Sequence, residues 1–80
     1  MAKLNGNPYE NLAHAIIIRA CNDYRIVLKM MKLHPKNKVL REEVSRLENF
    51  FRSPWYQALT TVDGELLIRK IRAEIAEWRQ

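Results

Sequence analysis

Apolar residues recur with helical spacing through most of the chain. The longest run is Ala13, Ile16, Ile17, Ala20, Cys21, Tyr24, Val27, Leu28 and Met31, which lines one wide stripe. It predicts a first helix that starts at Asn7-Pro8-Tyr9-Glu10 and runs to about Leu33. Asn7 suits the cap, Pro8 the first helical position, and Glu10 can reach back to the Asn7 N–H. His34-Pro35 ends the helix, because the residue before a proline resists helical geometry. Asn37 is the next cap, and Leu40, Val44, Leu47 and Phe51 form the inner stripe of a second helix from about Lys38 to Arg52, with Phe50 on its flank. Glu42, Glu43 and Glu48 lie off the centre of that stripe, and Glu42 and Arg46 have the spacing of a weak i,i+4 ion pair. Ser53-Pro54 restarts the chain as a short helix, Pro54 to about Leu59. After a connector, Thr61 or Asp63 caps a last helix, about Gly64 to Trp78, whose inner face is Leu67, Ile68, Ile71, Ile75 and Trp78. No segment alternates apolar and polar residues for long enough to predict a sheet. The expected fold is therefore all-α: a compact bundle of three main helices plus one short helix, with the long N-terminal helix as spine.

Composition agrees with that pattern. Eighty residues make one domain, 1–80, with 1–6 expected to be a loose arm, and only two glycines and three prolines leave little room for a turn-rich fold. Such a short chain has a small stability margin. Cys21 is the single cysteine; it falls on the apolar stripe, so a buried, inert thiol is the reading set against a nucleophile, and a reducing compartment is expected. No run approaches the length of a membrane span, and Met1 to Asn7 has no signal-peptide core, so a cytoplasmic protein is expected.

Catalytic patterns are absent from the sequence. His14 and His34 lack metal-ligand spacing, no glycine-rich phosphate loop is present, capping explains Ser53, and Asp63 with Glu65 has the ordinary acidity of a helix start. No enzyme activity, no catalytic residue, no metal and no cofactor are expected.

Charge changes the picture more. Residues 1–41 hold eight Lys/Arg against two Asp/Glu, whereas residues 42–80 hold six against seven, so the net charge of +5 belongs to the first half. Arg25, Lys29, Lys32 and Lys36 share one face of a continuous helix, Lys38 and Arg41 extend it, and no acid interrupts the run. Such a ridge suits phosphates or an acidic protein surface; the competing reading is a solvated lysine face covering the core.

Two further sets are secondary candidates. Arg69, Arg72 and Arg79 face away from the inner stripe of the last helix, where a short helix, a turn and an arginine-bearing helix resemble a weak helix-turn-helix reader. Phe50-Phe51-Arg52-Ser53-Pro54-Trp55-Tyr56 places four aromatics around one arginine and a helix start. Arg52, Ser53, Trp55 and Tyr56 could hold a nucleotide, or the aromatics could fill the gap between helices.

Asp23-Tyr24-Arg25, Lys36-Asn37-Lys38, Phe50 to Tyr56, Leu59-Thr60 and Asp63-Gly64-Glu65-Leu66-Leu67-Ile68 together resemble a group of small uncharacterised bacteriophage and prophage proteins. The resemblance spans roughly residues 14–72 and is most specific in its second half. It implies a mobile-element origin and transfers no activity and no site residues. The expected function is a non-enzymatic accessory protein that binds nucleic acid through the basic ridge. The alternative is a protein-interaction inhibitor or counter-defence factor acting on a host complex, with a nucleotide-signal sponge as a third version. Leu12, Ile18, Ile26 and Met30 lie outside the main stripe of the first helix, which opens the way to a homodimer.

Overall fold

The computed structural model describes residues 8–79. The expected arm, residues 1–6, and the expected Asn7 cap lie outside them. Four helices follow in order: α1 (Pro8–Leu33), α2 (Lys38–Phe51), α3 (Pro54–Leu59) and α4 (Gly64–Ala76). No strand occurs among the described residues. The fold is the expected all-α bundle on a long N-terminal spine. The 26 residues of α1 rise about 39 Å, close to the 44 Å long axis of the molecule. The 14 residues of α2 and 13 of α4 reach only about half as far and pack along it.

The starts of the three later helices obey local chemistry. Asn37 Oδ1 accepts from Leu40 N at 3.1 Å, Ser53 Oγ from Tyr56 N at 3.1 Å, and Asp63 Oδ1 from Glu65 N at 3.0 Å. Of the two candidates for the last cap, Asp63 takes the role. The ends depart slightly from expectation. α2 stops at Phe51 with Arg52 as its cap, and α4 stops at Ala76 rather than Trp78. There Lys32 of α1 takes the terminal carbonyls of α4, and Trp78 turns back toward α1.

The core draws on all four helices: Cys21, Tyr24 and Leu28 from α1; Val44, Leu47 and Phe51 from α2; Tyr56 from α3; Ile68, Ile71 and Ile75 from α4. All of them except Tyr56 belong to the stripes read from the sequence. The aromatic segment resolves in favour of packing: Phe50, Phe51 and Tyr56 form mutual edge-to-face pairs 5.5–5.8 Å apart, and Tyr24 joins Phe51 at 5.5 Å. Trp55 alone of the segment's four aromatics stays exposed. Gly64 supplies a feature that periodicity does not show. A Cβ there would lie 2.0 Å from the Phe51 carbonyl oxygen, so only a glycine lets the start of α4 sit on the end of α2.

Candidate functional site

The basic ridge divides into two parts. Its first three members turn toward the end of α4. Arg25 Nε donates to Glu74 Oε2 at 2.9 Å, and its Nη1 donates to Asn22 Oδ1 at 3.1 Å. Lys29 Nζ stands over the Trp78 ring, 5.4 Å from its centroid. Lys32 Nζ donates to the carbonyls of Ile75, Ala76 and Trp78 at 2.9, 3.1 and 2.8 Å. A cation at this place satisfies orphan carbonyls and complements the negative end of the helix. These three charges fasten α1 to α4.

The second part stands free of such ties. Lys36, Lys38 and Arg41 are exposed at the turn from α1 into α2, and their side chains enter no ion pair or hydrogen bond among the described residues. Lys38 is the first residue of α2, and the first turn of that helix carries no acid. Cations at a helix N-terminus meet the positive end of the dipole and lower stability. The same superposition of side-chain charge and free N–H groups attracts anions. Glu42, directly after Arg41, marks where the acid-free run ends.

The secondary candidates separate as well. Arg52 pairs with Glu65 and lies 3.6 Å from Glu48. Arg72 is turned back onto α2, where its Nε and Nη2 donate to Glu48 Oε2 at 2.9 and 2.6 Å. Tyr24 Oη donates to that same oxygen at 2.5 Å. Burial pushes the Glu48 carboxyl up; the hydrogen bonds from Tyr24 and Arg72 and the charges of Arg72 and Arg52 outweigh it, so the group sits below the usual carboxylate range. Burial first, and the bond to Glu48 second, push the Tyr24 phenol well up. Ser53 is a cap that also donates to the Phe50 carbonyl at 2.7 Å. Tyr56 is buried, its hydroxyl without a partner among the described residues. Of the proposed nucleotide platform only Trp55 offers an open ring. Arg69 and Arg79 remain exposed, and Arg69 adds its charge to those that hold the Glu65 carboxyl below its ordinary range. The expected Glu42–Arg46 pair is replaced by Glu43–Arg46 at 2.6 Å, one residue closer.

With Glu65 holding Arg52, two acids outside any expected site, Glu48 and Glu74, hold Arg72 and Arg25. Nothing local marks them, since each lies on the flank of an amphipathic helix where solvated acids are common. A second feature escaped the sequence reading. Leu28, Met31, Val44, Ile75 and Ala76 line an apolar groove of about 410 Å³, with Lys32 and Arg72 on its edge. The described residues hold no group of three or more His, Cys, Asp or Glu able to bind a metal, and Cys21 is buried, its thiol pushed up by burial against the opposing charge of Arg25. No helix among the described residues is long and apolar enough to cross a membrane. No family model, no curated protein and no solved structure matches the chain.

Proposed function

We propose that the protein is a small non-enzymatic accessory factor of a bacteriophage or other mobile element, and that it binds nucleic acid through the cationic tip of Lys36, Lys38 and Arg41. One observation carries the reading: three cations without partners among the described residues are gathered where the α2 dipole already makes them costly. A solvated face chosen for stability alone would place acids there. Arg25, Lys29 and Lys32 add long-range field, while their donors are committed to α4. Binding of this kind follows the phosphates and tolerates sequence changes.

A mobility-shift titration with short duplex and single-stranded DNA and RNA tests it. Retardation at low salt is expected, with affinity falling as roughly the third power of salt concentration if three phosphates are contacted. Lys36→Ala, Lys38→Ala and Arg41→Ala combined should abolish the shift and leave helicity unchanged. Absence of any shift at low salt removes the reading.

The apolar groove favours a second reading, docking of a host protein. An apolar floor of Leu28, Met31 and Ile75 fits the apolar face of an amphipathic segment. Capture of a host protein that survives nuclease treatment and is lost on filling the groove with Ala76→Trp would favour it over nucleic acid.

A further inference from the structure

The side of α1 that faces away from the core carries an order of its own. Positions 9, 12, 16, 19, 23, 26, 30 and 33 advance by alternating steps of three and four without a break. That is the heptad spacing of a coiled-coil seam, here running the length of a helix whose core residues Cys21, Tyr24 and Leu28 lie on the other side. The seam is apolar toward both ends. Leu12, Ile26, Met30 and Leu33 are 59%, 58%, 40% and 40% exposed, and Ile16 is half-buried. Its middle is charged: Arg19 and Asp23 are exposed, and neither enters an ion pair or side-chain hydrogen bond among the described residues, although Asp23 also feels the charge of Arg46 on α2.

We propose that this seam is the interface for a second copy of the chain, packed antiparallel with the two-fold axis beside position 21. The order of the residues selects that geometry. In an antiparallel pair Leu12 meets Met30, Ile16 meets Ile26, and Tyr9 meets Leu33, so every apolar position opposes an apolar one. Arg19 of each copy then meets Asp23 of the other, and symmetry forms the pair twice. A parallel pair in the same register would set Arg19 against Arg19 and Asp23 against Asp23, two repulsive layers at the centre. A polar layer inside an apolar seam is a recognised means of fixing register and orientation.

The surroundings admit a helix. Ala13, Ala15 and Ala20 flank the seam and permit close approach. Ile16 and Ala20 also share a shallow groove of about 290 Å³ with Arg46, Leu47 and Phe50 of α2, so the incoming helix covers part of α2 as well. A strip about 36 Å long and 12 Å wide buries on the order of 900 Å² in total, below the range of stable interfaces and within that of weak, transient ones. The proposed dimer is therefore a weak, reversible one. It is independent of the nucleic-acid reading, since the seam contains none of Lys36, Lys38 and Arg41.

Sedimentation velocity from about 1 to 500 µM, a range chosen for an interface of this size, tests the proposal without any ligand. The expected mass rises with concentration from 9.5 kDa toward twice that value. Arg19→Asp and Asp23→Arg, each alone, should weaken self-association at least about tenfold. An equimolar mixture of the two variants should assemble as a heterodimer at least as tight as the wild type, which also shows that both remain folded. The proposal is overturned by a wild type that stays at 9.5 kDa throughout, by single variants that dimerise like the wild type, or by a mixture that stays monomeric.

Discussion

Tyr24 and Glu48, on different helices, are joined by a 2.5 Å hydrogen bond from a fully buried phenol, and the same carboxylate oxygen also accepts both donations from Arg72. One acid thereby ties α1, α2 and α4 together. Its side chain retains 14% exposure, so its loss falls below the full cost of breaking a buried ion pair. Glu48→Ala should cost about 2–3 kcal/mol, and Glu48→Gln about 1–2 kcal/mol. Urea denaturation measures both, with Glu42→Ala as the solvated control. Equal midpoints for Glu48→Ala and the control would refute the role.

The same acid gives stability a pH dependence of definite sign. Its folded value lies below the ordinary 4.5. The contribution is therefore complete above about pH 4.5 and is lost as pH falls through the lower folded value. Urea midpoints between pH 7 and pH 3 should fall on the acid side in the wild type and fall less in Glu48→Gln. Superimposable acid limbs would count against the assignment.

Tyr24 and Tyr56 are both buried, yet their hydroxyls differ. Tyr24 donates to Glu48, while Tyr56 Oη has no partner among the described residues. Tyr24→Phe should lose about 1–2 kcal/mol, whereas Tyr56→Phe should be neutral or gain up to about 1 kcal/mol. Thermal denaturation of the two variants side by side settles the order; a larger loss at Tyr56 would reverse it.

Lys32 and Lys36 look alike in the sequence and should behave oppositely. Lys32 closes the end of α4 through three carbonyls, so Lys32→Met should cost about 1–2 kcal/mol. Lys36→Met should change stability by less than about 0.5 kcal/mol and weaken nucleic-acid binding. Denaturation and mobility-shift measurements on the same two variants test both halves.

This contrast shows what the sequence makes legible and what it hides. Helix bounds came within two residues because caps such as Asn37, Ser53 and Asp63 act within one turn. Val44, Leu47, Ile68, Ile71 and Ile75 were recognisable as core because periodicity reports a face. Partners across the bundle leave no such mark. Lys32 reaches residues more than forty positions away, and Arg72 reaches Glu48 across 24. A run of like charges accordingly looked like one surface, although long-range contacts divide it at Lys32. Gly64 is hidden for the same reason, its neighbour being a carbonyl on another helix. The heptad on the outer side of α1 is legible in the sequence, but the wider core stripe masks it until burial separates the two.

The Glu48 junction also bears on the order of folding events. Tyr24 and Arg72 lie 24 residues from it in opposite directions, so the carboxylate is satisfied only after two loops of equal length have closed. Closing each loop costs entropy before the contact repays it. The junction is therefore expected to form after the helices it joins, and Glu48→Gln should speed unfolding and leave the folding rate nearly unchanged. Stopped-flow chevrons would show this as a shift of the unfolding arm alone; a slowed folding arm would place the junction in the nucleus instead. With the unfolding arm alone shifted, Glu48 is a latch on the finished bundle, governing how long it stays closed more than how fast it forms.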